Sequence, residues 1–176
     1  MTHFLILPIG APGAGKSTLR QALLDLDVIA PEAVVSPDDY RVILTGSKGD
    51  QRSNNQVFQI VDQITYTRLD HGLDVYLDAT SVDPERLRHL RTWTKTFGAE
   101  IIYVKFDIPH AVLVERNERR DHPVPPDILE RYWAKSCDVN DKIMTGGRVF
   151  HVTVDKERSV AALIGDHIIT RWLEEQ

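Results

Sequence analysis

The sequence predicts an α/β fold, in which a five-stranded, mostly parallel sheet is covered by helices on both faces. Five short segments rich in β-branched and aromatic residues alternate with segments of helical hydrophobic spacing. The first of these segments runs into a glycine-rich turn that precedes a helix-forming run. Strands separated by helices need crossover connections, which produce parallel pairing and a sheet buried on both faces.

Length and composition are those of one globular domain, which we expect to span residues 1–176. No apolar run approaches the roughly 20 residues that cross a bilayer. The first nine residues lack a basic region and predict a buried strand rather than a signal peptide. The single cysteine, Cys137, has no internal disulfide partner, which favours a reducing, cytoplasmic compartment. Oligomeric state is left open, so a homo-oligomer remains among the alternatives.

The predicted elements follow one another with short connections. Strands are predicted at 4–9, 33–36, 73–79, 101–108 and 149–154. Helices are predicted from the glycine-rich turn to Leu26 and at 51–71, 84–97, 111–117, 127–140 and 159–174. Residues 45–55, rich in Gly, Ser, Asn and charge, predict a loop of their own.

Helix boundaries and buried stripes support these assignments. Gly72 and Gly98 are predicted to end two helices, and Asp83-Pro84 to open one with proline at its first position. The helix at 51–71 is expected to bury Val57, Ile60, Val61, Ile64 and Leu69. The last helix is expected to bury Val160, Leu163, Ile164, Ile168 and Trp172.

The glycine-rich turn, Gly10-Ala11-Pro12-Gly13-Ala14-Gly15-Lys16-Ser17, matches the phosphate-loop pattern G-x-x-x-x-G-K-[ST] at every fixed position. Glycines let successive N–H groups form a concave anion site, and the following helix points its positive end at the phosphates. We therefore predict a site for ATP, with GTP as the alternative donor, and for Mg²⁺. Its expected residues are Gly10, Gly13, Ala14, Gly15, Lys16, Ser17 and Thr18, with Lys16 on the β- and γ-phosphates and Ser17 on the metal.

An acidic residue lies near the carboxyl end of the third predicted strand. Asp78 stands at the carboxyl end of that strand, where a magnesium-side acid is expected to act, here through a water molecule. A strand-end cap is the alternative role. The next residue is Ala79 and not the glutamate with which motor ATPases activate water, which disfavours a hydrolytic motor.

The second predicted strand leads into Ser36-Pro37-Asp38-Asp39-Tyr40-Arg41. In open α/β sheets, ligands lie beyond the carboxyl ends of the strands, so this segment is expected to face the γ-phosphate. A carboxylate here accepts the proton of an attacking hydroxyl, and Arg41, three residues after Asp38, grips an anionic group of the acceptor. An N-cap is the alternative for these aspartates, and we expect one to be catalytic and the other structural.

Arginines are concentrated near the predicted helix at 111–117. Arg116 and Arg120 are four residues apart and are expected to lie on one helical face, within a cationic lid spanning about 116–126. Such a lid stabilises charge on the transferred group and excludes water. A solvated arginine face is the alternative.

Charge is distributed unevenly along the chain. The formal net charge is -5, which argues against a protein that coats nucleic acid. Residues 86–120, however, contain eight Lys or Arg against four acids. This stretch is either a set of solvated helix faces or a basic strip for a polyanionic substrate. The three tryptophans and His151 are interpreted as packing residues, and Cys137 as a small buried one.

Taken together, these motifs resemble the phosphate-loop kinase domain of the phage-type polynucleotide 5'-hydroxyl kinase family, over Gly10 to about Lys135. The residues that carry the resemblance are Gly10 to Thr18, Asp38 to Arg41, Asp78-Ala79-Thr80, Pro84-Glu85-Arg86, Phe106 to Pro109, Arg116-Asn117, Arg120, Val124-Pro125 and Asp127. Family members often have a basic residue before the first aspartate, where this chain has Pro37. Many are fused to a phosphatase or ligase domain, which the 176 residues here do not include.

The resemblance implies a five-stranded parallel sheet with the loop strand in its middle. It implies a kinase that transfers the γ-phosphate of ATP to 5'-hydroxyl ends of DNA or RNA. Asp38 would be the general base, Arg41 would hold the neighbouring phosphate of the acceptor, and Asp78 would lie on the substrate side. Arg120 would contact the transferred phosphate, with Arg116 beside the nucleotide.

Two other functions remain open. One is a small-molecule kinase that acts on a nucleoside, sugar or antibiotic hydroxyl. The other is a nucleotide-gated interaction module that binds ATP and transfers nothing, against which Asp38 and Arg41 argue. Steep loss of acceptor affinity with added salt would favour nucleic acid.

Overall fold

A computed structural model describes residues 2–121 and 123–174. Its sheet contains five strands, all parallel, in the order β2-β3-β1-β4-β5. The strands are β1 (Phe4–Ile9), β2 (Val34–Val35), β3 (Val75–Leu77), β4 (Glu100–Phe106) and β5 (Arg148–Val152). The predicted fold class is thereby confirmed, with the strand that precedes the glycine-rich turn at the centre of the sheet.

Seven α-helices and one short 3-10 helix occur in the described residues. They are α1 (Lys16–Asp25), the 3-10 helix Pro31–Ala33, α2 (Pro37–Thr45), α3 (Asn54–Asp70), α4 (Pro84–Phe97), α5 (His110–Glu118), α6 (Pro126–Asp138) and α7 (Glu157–Glu174). As predicted, Asp83 caps α4, where its carboxylate accepts hydrogen bonds from two backbone N–H groups, and Gly98 ends it at a φ of 68°. None of the described helices is long and apolar enough to cross a membrane.

The central strand divides its side chains between two cores. Phe4 and Ile6 pack on one face with residues of α1, α5 and α7. Leu5, Leu7 and Ile9 pack on the other with residues of α3 and α4. Successive side chains of a strand point to opposite faces, so this fully apolar segment requires cover on both sides. Burial on both faces fixes the position of the turn that follows β1.

Several predicted boundaries were too wide. The second strand is two residues long, and the third begins at Val75 and ends at Leu77. The segment predicted as a loop, 45–55, begins at the last residue of α2 and ends inside the first turn of α3. The proline at the first position of α2 and the two aspartates in its first turn are typical of a helix start.

Three burial predictions were wrong. Leu163 is 55% exposed, because the buried stripe of α7 follows Val160, Ile164 and Ile168 and leaves Leu163 beside it. Cys137 is exposed in the last turn of α6, where its neighbour Ser136 faces the core. His151 is exposed on the edge strand β5, and its Nδ1 lies 2.6 Å from Oδ2 of Asp107.

Candidate active site

The turn between β1 and α1 adopts the backbone that its glycines allow. Gly13 and Gly15 have φ values of 81° and 108°, in the left-handed region that side chains disfavour. Gly15 also packs closely, since a Cβ there would lie 2.2 Å from Oε1 of Glu157. The turn therefore owes its shape both to its own glycines and to the first residue of α7.

Lys16 is the first residue of α1 and folds back over the turn. Its ammonium donates hydrogen bonds to the carbonyls of Gly10 at 2.9 Å and Ala11 at 2.7 Å. Its pKa is lowered from 10.5 to about 8, chiefly by burial; the charges of Asp78 and Asp38 oppose this decrease, and the positive charge of Arg120 adds to it. The ammonium of Lys16 thus interacts electrostatically with three other predicted site residues, Asp38, Asp78 and Arg120.

Asp78 directly follows β3, as predicted, and its backbone N–H bonds to the carbonyl of Val35 at 2.9 Å. Its carboxylate accepts a hydrogen bond from Nη1 of Arg20 at 2.6 Å. Burial raises the pKa of Asp78, and the charges of Arg20 and Lys16 oppose the increase. The partner of this acid in the structure is an arginine that the sequence reasoning did not identify.

Asp38 and Arg41 form an ion pair within the first turns of α2. The Asp38 side chain is 61% exposed and that of Arg41 only 6%. Besides Asp38, Arg41 donates to Oδ1 of Asn54 at 3.0 Å and to the carbonyl of Lys48 at 3.4 Å. The shared helical face follows from the spacing of three residues, but neither the ion pair with Asp38 nor the burial of the guanidinium was predicted.

One cavity of about 340 Å³ brings three of the predicted residues together. Ser17, Asp38 and Asp78 line it, and the other lining residues are Arg20, Gln21, Leu24, Pro31, Val34, Ser36, Asp39 and Lys48. Ser17 supplies a hydroxyl and Asp78 a carboxylate, oxygen donors of the kind Mg²⁺ prefers. Among the described residues no three His, Cys, Asp or Glu side chains form a metal cluster. Mg²⁺ is usually held by one or two protein groups together with phosphates and water.

Arg116 lies against the glycine-rich turn. Its Nη1 donates to the carbonyls of Gly13 and Ala14, each at 3.3 Å, and its Nη2 to Asp155 at 3.2 Å. Nη1 also lies 4.0 Å from Glu157. Arg116 therefore connects the turn to the segment that leads into α7.

Arg120 does not share a helical face with Arg116, because α5 ends at Glu118. Its side chain is exposed, and the described residues offer it no hydrogen bond or ion pair. Asn117 connects the two ends of the segment between α5 and α6. Its Nδ2 donates to the carbonyl of Val124 at 2.8 Å, and its Oδ1 accepts from the N–H of Val124 at 2.9 Å. The predicted lid, about 116–126, includes His122, which lies outside the described residues.

The basic stretch at 86–120 is not a continuous strip. Arg86 pairs with Asp62, and Arg119 pairs with Glu115. Lys105 is buried and donates to the carbonyl of Ser136, and burial lowers its pKa. This arrangement favours the interpretation as separate helix faces, with most of these charges engaged by the protein itself.

Two residues at the site were missed from the sequence. Arg20 is four residues after Lys16 on a helix and so lies on the same side of α1, a spacing that could have identified it. No sequence pattern identifies Glu157, because its approach to Gly15 depends on how α7 packs beside α1. The helices α1 and α7 are far apart in the chain and come into contact only in the folded protein.

Comparison with known proteins identifies the family of this chain. A family model described as an AAA domain matches residues 5–138, well over half of the chain. The chain therefore belongs to this family.

Solved structures share its fold. A protein from Chloroflexus aurantiacus, provisionally described as a kinase, is 20% identical with a TM-score of 0.67, covering 96% of this chain and 97% of its own. A gluconokinase from Sinorhizobium meliloti is 14% identical with a TM-score of 0.62, and the match covers 99% of this chain and 97% of the gluconokinase. A chain of the Pnkp1/Rnl/Hen1 RNA repair complex is 21% identical with a TM-score of 0.62, covering 80% of this chain but 46% of its own. The fold is that of the phosphate-loop kinases.

Proposed function

We propose that this AAA-domain protein is a phosphotransferase that moves the γ-phosphate of ATP to a hydroxyl group. The observation that carries the proposal is the shared cavity, where Asp38 and Asp78 lie with Ser17, the last residue of the glycine-rich turn. GTP is the alternative donor. A base, a metal-binding pair and a phosphate-binding turn are the parts that phosphoryl transfer needs.

In the proposed reaction, the N–H groups of the turn and the ammonium of Lys16 bind the β- and γ-phosphates. Ser17, together with Asp78 through water, would hold Mg²⁺, which neutralises charge on those phosphates. Asp38 accepts the proton of the acceptor hydroxyl while that oxygen bonds to the γ-phosphorus. The bond from the γ-phosphorus to the bridging oxygen breaks, and ADP leaves with that oxygen. Arg120 would stabilise the charge on the transferred group.

For the acceptor we propose a polynucleotide 5'-hydroxyl end. The order and spacing of the motifs from Gly10 to Asp127 support it, and so does the likeness to a chain of an RNA repair complex. Asp38 is 61% exposed, so the end of a long chain can reach it without entering a closed site.

A small-molecule hydroxyl is the second candidate acceptor. Two observations favour it: the cavity of about 340 Å³ is the size of a small ligand site, and the basic residues at 86–120 are largely paired within the protein. The likeness to a gluconokinase over nearly the whole of both chains fits this candidate.

Transfer of labelled γ-phosphate separates the candidates. ATP and Mg²⁺ would be supplied with short 5'-hydroxyl DNA and RNA strands, and in parallel with nucleosides, sugars and sugar acids. Label on strand ends that is lost in Lys16→Ala and Asp38→Ala supports the polynucleotide acceptor. Label on a small molecule alone supports the second candidate. Tight ATP binding with no transfer to any acceptor would contradict the phosphotransferase proposal and favour an interaction module.

A further inference from the structure

We propose that Arg20 and Lys48, and not Arg41, bind an anionic group of the acceptor, while Arg41 positions Asp38 and Lys48. The inference rests on the proposed function, because it assigns the acceptor side of the same cavity. An acceptor for this site carries a phosphate or a carboxylate near the hydroxyl that is phosphorylated.

Arg41 is already committed to the protein. Its side chain is 6% exposed, and its two terminal nitrogens contact Asp38, Asn54 and the carbonyl of Lys48. It is also not among the residues that line the cavity. Its Nε is also buried and has no hydrogen-bond partner among the described residues, so Arg41 keeps a spare donor, but this donor does not line the cavity and cannot reach an anion bound there while the present contacts persist.

Arg20 is placed differently. It enters the cavity from α1, its side chain is 31% exposed, and its hydrogen bonds within the described residues use Nη1 alone, to Asp78. A guanidinium has five N–H donors in a planar fork, so the remaining donors can bind a phosphate or carboxylate in two-point fashion.

Lys48 approaches from the other side of the cavity. It belongs to the segment between α2 and α3, and its side chain is exposed and makes no hydrogen bond or ion pair within the described residues. Its carbonyl, in contrast, is held by Arg41. The backbone of Lys48 and the carboxylate of Asp38 are therefore positioned by the same guanidinium, which sets where the Lys48 side chain begins relative to the base.

The other charges of the cavity do not oppose an anion as strongly as their number suggests. Asp38 is paired with Arg41, and Asp78 faces both Arg20 and Lys16. Asp39 lies beside Tyr40, whose pKa is raised by burial and by this carboxylate. Opposite charge close to Asp38 and Asp78 offsets their fields in the cavity, whereas Asp39 has no cationic partner within the described residues.

The rest of the lining has an apolar part, formed by Leu24, Pro31 and Val34, and two polar residues, Gln21 and Ser36. A cavity with a base, two cations and an apolar wall fits an acceptor with a hydroxyl, an anionic group and a ring or carbon skeleton. A nucleotide at a strand end has this chemistry, with its 3'-phosphate as the anion, and so does a sugar acid. The shared requirement is the anion, and the source is decided by experiment.

The test compares acceptors that differ only in the anion. Equilibrium binding would be measured by calorimetry for adenosine 3'-monophosphate against adenosine, and for gluconate against gluconamide. The proteins are the wild type, Arg20→Gln and Lys48→Gln, with Arg88→Gln and Lys142→Gln as charge-matched controls at exposed positions remote from the cavity lining. Thermal unfolding would verify that each variant is folded.

We expect the wild type to prefer the anionic member of one pair, and each cavity substitution to reduce that preference about tenfold, the size of a lost charged hydrogen bond. Affinity for the neutral member should change less than twofold, and the controls should match the wild type. The pair that shows the preference identifies phosphate or carboxylate. No preference in the wild type, or a preference unchanged in both cavity variants, would overturn the proposal.

The outcome is separable from that of the proposed function. A preference that depends on Arg20 and Lys48 without phosphate transfer to any acceptor would uphold the subsite and contradict the kinase. Transfer that depends on Asp38 without any anion preference would uphold the kinase and contradict the subsite.

Discussion

The carboxylate of Asp38 accepts a hydrogen bond from Arg41, one turn farther along α2, and the exposed acid is thereby held by a buried cation. The same guanidinium reaches Asn54 at the start of α3. An acid oriented in this way keeps one position toward the cavity while remaining accessible to an acceptor. A general base needs both properties, since proton transfer depends on hydrogen-bond reach to the reacting hydroxyl.

Replacing Asp38 tests the proposed base. Asp38→Asn keeps the shape of the side chain but removes its capacity to take a proton, so we expect transfer to fall by about 10²–10⁴-fold. ATP affinity should be unchanged, because the binding turn lies on another element. Rates of γ-phosphate transfer and ATP binding by calorimetry would be measured together. Asp39→Asn is the matched control, and an equal loss in that variant would contradict the assignment of Asp38.

Replacing Arg41 tests the positioning role. Arg41→Gln removes the contacts to Asp38 and Asn54 from a buried position, and we expect a loss of about 1–3 kcal/mol in the free energy of unfolding. The kcat should fall because Asp38 loses its hydrogen bond, and the acceptor affinity should fall by less than it does in Lys48→Gln, because Arg41 holds only the backbone of Lys48. Chemical denaturation and steady-state kinetics measure the two effects. In Arg119→Gln, which removes an exposed pair with Glu115, unfolding should change by less than about 0.5 kcal/mol. A raised KM with unchanged kcat in Arg41→Gln would show that Arg41 binds the acceptor directly.

The sequence predicted the fold and part of the site for local reasons. The glycine-rich turn and its flanking elements form from contiguous residues, and Asp78 and Asp38 follow strands whose ends meet at one edge of a parallel sheet. The roles of Arg41 and Arg20 depend on partners from other elements, Asn54 for one and Asp78 for the other. No spacing rule contains those partners, and the burial of Arg41 could not be predicted for that reason.

Periodicity had a similar limit at the surface. Leu163 and His151 are in elements that were predicted with the right type, yet both side chains are exposed. A helix stripe or a strand alternation has two faces, and only the packing of α7 and the edge position of β5 select which face is buried.

Gly15 provides a test of the turn and its contact with α7. In Gly15→Ala, a φ of 108° becomes unfavourable, at about 1–3 kcal/mol, and the new methyl group meets Oε1 of Glu157. We expect ATP affinity to fall at least tenfold, measured by calorimetry. Gly46→Ala is the control, because it has a φ of 76° but no atom within 4 Å of the added carbon. If the clash contributes, Glu157→Ala should restore part of the affinity in the Gly15→Ala background. Equal affinity of Gly15→Ala and wild type would contradict the predicted role of the turn.

The pH dependence of ATP binding tests the state of Lys16. In the free protein its pKa is lowered to about 8 by burial, whereas bound phosphates would favour the charged ammonium and raise it. Above a pH of about 8, binding then requires uptake of a proton, so raising the pH weakens it. We expect the Kd for ATP with Mg²⁺ to rise about tenfold between about pH 7 and about pH 9. Lys16→Arg is the control, because its guanidinium stays charged throughout this range and its Kd should not change with pH. A flat Kd in the wild type would mean that the ammonium is fully charged before ATP arrives, and would contradict the lowered pKa.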